Sequence, residues 1–241
     1  MSQPESPSTE LRFSERPSRA DTNNNCTATL AWLKINIAAI YSAGRTTASE
    51  DRAPTLTREA YLNLYSTVHD YCMATRDSRK SHPQPQLSGG DLYNGLEDAI
   101  KAHCSETRVY LLAPASGADI DGARHVIAEY LTHWRKLTHL AGLVTNLLRP
   151  LEADWIQRGI SAKAADMYRI KDLHTVIWKQ EILQVGVDST EAATGSKIEN
   201  AAKLLQHHGE IGSESDKALA ERFVESIKNI GVGLGKGDEA R

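Results

Sequence analysis

The sequence predicts an all-α fold, on three observations. Apolar residues recur at helical spacing in one segment after another. Polar or Gly/Pro-rich breaks separate those segments. β-branched residues are sparse, and no apolar/polar alternation is sustained long enough for a half-buried strand. With 241 residues and a 40% apolar share, the chain is long enough to bury a core. A net charge of −3 without a Lys/Arg block gives no phosphate-tracking patch, so nucleic acid is not an expected partner. No stretch reaches the roughly 20 apolar residues of a membrane span. The nearest, "LAWLKINIAAIY", is broken by Lys34.

The elements follow in chain order. Residues 1–25 are rich in Ser, Pro, Glu, Thr and Asn and lack an apolar leader, so a disordered polar tail is expected over 1–27. A first helix over 28–43 gathers Leu30, Leu33, Ile37, Ile40 and Tyr41 on one face, and "GRTTASEDRAPT" ends it. Thr57 is placed to cap a second helix, with Glu59 in its first turn. In that helix Tyr61, Leu64, Tyr65, Val68 and Cys72 keep the i, i+3, i+4, i+7 spacing of a buried stripe. Leu62 and His69 lie beside the stripe and give it a second, half-apolar flank. By periodicity alone Tyr61, Leu64 and Tyr65 are core residues.

A polar loop, "RDSRKSHPQPQLSGGD", leads to a third helix over roughly 92–112 with Leu92, Leu96, Ile100 and Cys104 on one side. Then comes the most regular segment. Tyr130, Trp134, Leu137, Ala141, Val144, Leu148, Leu151 and Trp155 alternate steps of four and three, which suits the core helix of a bundle. Pro150 should kink or split that helix, because it lacks a backbone donor and its ring clashes with the preceding turn. Trp134, Trp155 and Trp178 read as core. "RGIS" is a turn with Ser161 as a cap, and a fifth helix covers roughly 162–184, with Ile170, Leu173, Ile177, Trp178 and Ile182 inward. Tyr168, Lys171 and Thr175 lie on another side. "VGVDSTEAATGS" interrupts before helices at about 197–208 and 216–230, the latter opened by Ser213 and Asp216 in a near capping box. His207 and His208 read as solvated surface, and the Gly-rich end should fray.

The three cysteines have neither metal nor redox spacing and read as reduced thiols, which places the chain in the cytoplasm and/or nucleus. No HExxH, GxSxG or S-x-x-K occurs. "GVGLGKG" lacks the Ser/Thr of a phosphate loop. The expectation is a non-enzyme with no catalytic residues, no metal and no cofactor.

"YLNLYSTVHDYC", the long helix with its two tryptophans, and "MYRIKDLHTVIWKQEIL" together resemble the amino-terminal region of a cullin. The resemblance is greatest to the subfamily that scaffolds Skp–cullin–F-box (SCF) ubiquitin ligases. "KIENAAKLLQHHGE" and "ERFVESIKNIGVGLG" resemble the start of a second cullin repeat. The resemblance implies a five-helix cullin-repeat bundle with a long kinked fourth helix over 28–186, and a partial second repeat with a flexible tail over 187–241. It implies a Skp-type adaptor as partner, F-box proteins through it, and a role in ubiquitin-dependent degradation. With no cullin homology domain in this sequence, no RING subunit is expected, and the chain would compete with full-length cullins for adaptors. The binding positions it implies are Tyr61, Leu64, Tyr65 and His69 on the second helix and Tyr168, Lys171 and Thr175 on the fifth. Leu62 joins them from its place on the second flank. Lys171 stands where the family usually has a tyrosine, and His69 where many members have one, which implies weaker or redirected binding. Two alternatives stand beside this reading: a relic cullin-like fold without adaptor affinity, and a helical small-ligand binder or enzyme. Half a repeat should also leave an apolar face uncovered and pack poorly after about residue 190.

Overall fold

The computed structural model describes residues 11, 13, 15–46, 54–78, 89–112, 119–164, 167–184 and 194–231. Among them there is no strand. Leu11 and Leu56 meet in an isolated parallel bridge, with Leu11 N–H donating to the Thr55 carbonyl at 3.2 Å. The helices are α1 (Arg19–Asn24), α2 (Cys26–Thr46), α3 (Arg58–Ser78), α4 (Gly89–Leu112), α5 (Ile120–Leu147), α6 (Arg149–Leu151), α7 (Gln157–Ser161), α8 (Ile170–Trp178), α9 (Thr194–Glu210) and α10 (Glu214–Ile230). Two π-helical turns, Glu152–Ile156 and Lys179–Gln184, join α6 to α7 and extend α8. The second predicted helix is thus α3, and the fifth is α8. The chain forms two compact units, 1–100 with 136–173 and 101–135 with 174–241. Their boundaries fall inside α4, α5 and α8 rather than near residue 186.

In the first unit, α2 and α3 pack together through much of the stripes that periodicity predicts. Leu33, Ile37 and Ile40 of α2, and Leu64 and Val68 of α3, are fully buried or nearly so, and Tyr71, outside the predicted stripe, is buried with them, while Tyr61 and Tyr65 are only half-buried. Thr57 caps α3 as expected, accepting the Ala60 N–H on its Oγ1 at 3.0 Å. The polar tail differs from expectation over 15–27. Ser18 and Asp21 form a reciprocal capping box that starts α1. α1 packs on α2 and α3 with Thr22 buried. Arg16 Nη2 reaches Asp70 Oδ2 of α3 at 2.6 Å. Local capping and one long-range ion pair thus order a segment whose composition reads as disordered.

α4 begins at Gly89 rather than near 92. A Cβ at Gly89 would collide with the Trp155 side chain, so this glycine serves close packing in the first turn rather than a loop.

Pro150 splits the long helix. α5 ends at Leu147, and α6 restarts with the proline in its first positions, where its missing N–H costs no hydrogen bond. The π turn that follows shifts the seam by one residue. Leu148 and Leu151 are buried as predicted, but Ile156, not Trp155, takes the next fully buried place. Trp155 is therefore half-buried, tilted against Tyr93 of α4 at 5.7 Å.

The fifth predicted helix also starts later than its pattern suggests. α7 runs through Ser161, whose hydroxyl bonds back to the Gln157 carbonyl at 2.8 Å instead of capping forward. Lys163 then takes a left-handed conformation (φ 55°), with Lys163 N–H on Ile160 O and Ala164 N–H on Gly159 O, both at 3.0 Å. That is a Schellman ending with lysine where glycine is usual. Lys163→Gly is expected to relieve about 0.5–1 kcal/mol of backbone strain and raise the melting temperature by about 2 °C or more, read by circular dichroism. No rise would mean the loop carries the strain elsewhere.

The second unit is built around a cluster of tilted and edge-on rings and one ionic node. Tyr130, Trp178 and Phe223 are buried, and Trp134 lies half-buried against Trp178 at 5.6 Å. α9 and α10 pack against each other through Ile198, Ala201, Leu205, Phe223 and Ile227, so packing holds to Ile230 rather than failing after residue 190. The Gly-rich end lies outside the described residues.

Ser213 forms no side-chain cap on α10. Asp216, expected to complete a box, is instead buried and receives Arg124 of α5 at 2.6 and 2.8 Å and His208 Nδ1 at 2.7 Å. His208 is thus a partner in this node rather than solvated surface. The Arg124 hydrogen bonds hold the Asp216 carboxyl well below the usual carboxylate range, against the opposing pull of burial. A group lowered on folding adds stability above its unfolded pKa and loses it as pH falls through that range. Wild type minus Asp216→Asn stability, from urea titrations, is therefore expected to shrink between about pH 5 and about pH 2. A constant difference across that interval would dissociate the node from acid unfolding.

Candidate functional site: the outward face of α3

α3 buries Ala60, Leu64, Thr67, Val68, Tyr71 and Cys72, which leaves the opposite side of the helix free. Leu62 stands there, 49% exposed. His69, two turns on, has a 55% exposed side chain with Nδ1 3.6 Å from Asp70 Oδ1. Tyr61 and Tyr65, one turn apart, are half-buried and stack with ring centroids 6.4 Å apart and planes 10° from parallel. Stacked rings of this kind give a broad rigid surface that loses little conformational freedom when covered.

Leu64 does not belong to this face. It has no exposed surface, because it faces the core one turn from Ala60 and Val68. Periodicity gave the right answer for Leu64, and the resemblance misplaced it.

Tyr168 enters the same unit at the start of α8, half-buried. Its backbone is held from α4. The Tyr93 hydroxyl donates to Tyr168 O at 3.2 Å and accepts Tyr168 N–H at 3.1 Å. Burial raises the Tyr93 pKa, so the phenol stays protonated and able to do both. Lys171 is exposed on the first turn of α8. Thr175 is half-buried one turn further along the same helix. Sequence reasoning missed Tyr93, which reads only as a neighbour of Leu92, and the segment before α1. Ser18 and Asp21, at capping-box spacing, were the available signal for that segment.

The other chemistry-bearing groups are quiet. Burial pushes the Cys72 thiol up to about 12 and raises Cys104 as well, which makes both unreactive. Among the described residues no group of three His, Cys, Asp or Glu side chains is placed to hold a metal ion, and no helix is long and apolar enough to cross a membrane.

An aromatic and aliphatic face turned to water, as on α3, is the kind of surface that protein contacts use. Residues 33–232 match the cullin family in its alpha solenoid domain, and the chain belongs to that family. Cullin-1 of Dictyostelium discoideum is 28% identical over 130 residues, covering 51% of this chain and 16% of the relative. Cullin-1 of Caenorhabditis elegans is 22% identical over 223 residues, covering 86% of this chain and 26% of the relative. The chain thus aligns with about a quarter or less of these relatives' length. No solved structure matches it.

Proposed function

We propose that the chain docks a Skp-type adaptor, and through it F-box proteins, in the manner of the scaffold of an SCF-type ubiquitin ligase. The observation that carries this reading is Leu62. A leucine nearly half open to water in the second turn of α3, flanked by stacked Tyr61 and Tyr65 and by His69, is an uncovered anchor. Few residues of an interface supply most of its free energy, and they are aromatic or aliphatic side chains that become desolvated. Tyr168 and Lys171 in the same unit extend the contact. Lys171 supplies a flexible stem and a charge where a tyrosine would supply a flat ring, so the adaptor is held less tightly than by a relative with tyrosine there. Likeness to the two cullin-1 proteins supports the choice of partner.

Titration of the purified chain with a purified Skp-type adaptor by isothermal calorimetry tests this. Saturable binding in the micromolar range or tighter is expected. Absence of heat at tens of micromolar removes the reading in favour of a relic fold.

A further inference from the structure

Tyr61, Leu62, Tyr65 and His69 are held in place by a helix. Tyr168 is not. It stands two residues ahead of α8, whose hydrogen-bond ladder opens one residue later, with Leu173 N–H on Arg169 O at 2.8 Å. A side chain on such a link is placed only as well as the backbone beneath it. That backbone is held by Tyr93 of α4. The phenol donates to Tyr168 O at 3.2 Å and accepts Tyr168 N–H at 3.1 Å. The N–H belongs to the peptide plane before the Tyr168 Cα and the carbonyl to the plane after it. One hydroxyl therefore fixes both planes, and with them the φ and ψ that aim the side chain.

Tyr93 is itself rigid. It is 4% exposed, on a helix, with its ring tilted against Trp155 at 5.7 Å. Gly89 lies one turn before Tyr93 on α4, and a Cβ there would strike the same Trp155 side chain. The indole therefore rests on both positions. The π turn over Glu152–Ile156, which takes Trp155 off the core seam, sets it on Tyr93. Resting on the adaptor-docking reading above, we propose that Tyr93 is a positioning residue for docking: buried and out of the adaptor's reach, it fixes the Tyr168 backbone so that this anchor is in place before the adaptor arrives. An anchor fixed in advance loses less conformational freedom on binding, and that saving appears as affinity.

The test is a double-mutant cycle read by adaptor calorimetry, with the wild-type chain, Tyr93→Phe, Tyr168→Ala and the two changes combined. Phenylalanine keeps the ring on Trp155 and removes only the hydroxyl, so folding is kept. Tyr93→Phe is expected to weaken adaptor binding about threefold to tenfold. In the Tyr168→Ala background the same change is expected to leave Kd within about twofold, because Tyr93 acts through Tyr168. Hydrogen exchange read by NMR supplies a measurement without adaptor. The Tyr168 amide should exchange faster in Tyr93→Phe, while the Leu64 amide of α3 keeps its rate. An equal loss of affinity in both backgrounds overturns the proposal, since Tyr93 would then act through the fold at large. So does an unchanged Kd in Tyr93→Phe or in Tyr168→Ala. If Leu62→Ala/Tyr65→Ala still abolishes binding in that case, the docking reading stands without Tyr93. A wild-type chain that binds no adaptor removes the docking reading itself, and the proposal with it.

Discussion

Replacing Leu62 and Tyr65 together with alanine is expected to abolish adaptor binding while the far-UV circular dichroism and melting temperature stay close to wild type. Leu62 is 49% exposed, so its truncation opens little cavity in the core. Tyr65 is half-buried and stacked on Tyr61, and its loss removes a rigid ring from the surface but no fully buried contact. In an interface the same two truncations act where water has been expelled. Each hot-spot truncation costs on the order of 2 kcal/mol or more, so the pair lowers affinity by about a thousandfold, beyond detection for a micromolar complex. Leu64→Ala is the informative control. It lies two residues from Leu62 on the same helix, yet it is fully buried, and its loss should cost about 2–5 kcal/mol of stability. If the double variant binds like wild type, the outward face of α3 is not the docking surface. If it unfolds, the surface and the core of α3 are not separable as their burial indicates.

The contrast between Leu62 and Leu64 also shows what a sequence can and cannot disclose. Spacing along one helix is a local property, and it placed Leu64, Val68 and Cys72 inside correctly because burial repeats with the helical period. The Thr57 cap and the break at Pro150 were legible for the same reason, since each acts within one turn of its own position. What escaped the sequence depends on partners far along the chain. Arg16 is ordered by Asp70, 54 residues away, and Tyr168 by Tyr93, 75 residues away. Nothing in a polar, proline-containing segment announces such a partner. The π turn after Pro150 is a third case. It inserts one residue into the register, so the heptad that predicted Trp155 as core is off by one, and Ile156 fills the place. A pattern count cannot find an insertion that leaves the chain helical on both sides.

The largest stability effect is expected at Trp178. Its side chain is fully buried, and its ring lies 5.7 Å from Tyr130 and 5.6 Å from Trp134, with Tyr130 in turn edge-on to Phe223 at 5.3 Å. One indole therefore joins α8 to α5, and through Tyr130 to α10. Its Nε1–H points at the Tyr130 hydroxyl at 3.4 Å, a long bond that orients both rings. Trp178→Ala removes the largest buried side chain of the second unit and strips Tyr130 of its neighbour. The expected cost is about 3–5 kcal/mol, a large part of a typical domain's stability. Trp178→Phe keeps an aromatic face without the N–H and should cost visibly less. Tyr130 gives an independent readout. Burial pushes its pKa up to about 12 in the intact unit. In Trp178→Ala under native conditions, alkaline difference spectra at 295 nm should show one more tyrosine titrating near the ordinary value of about 10. Unchanged urea midpoints for Trp178→Ala, together with an unchanged tyrosine titration, would mean that the ring cluster is not what holds α5, α8 and α10 together.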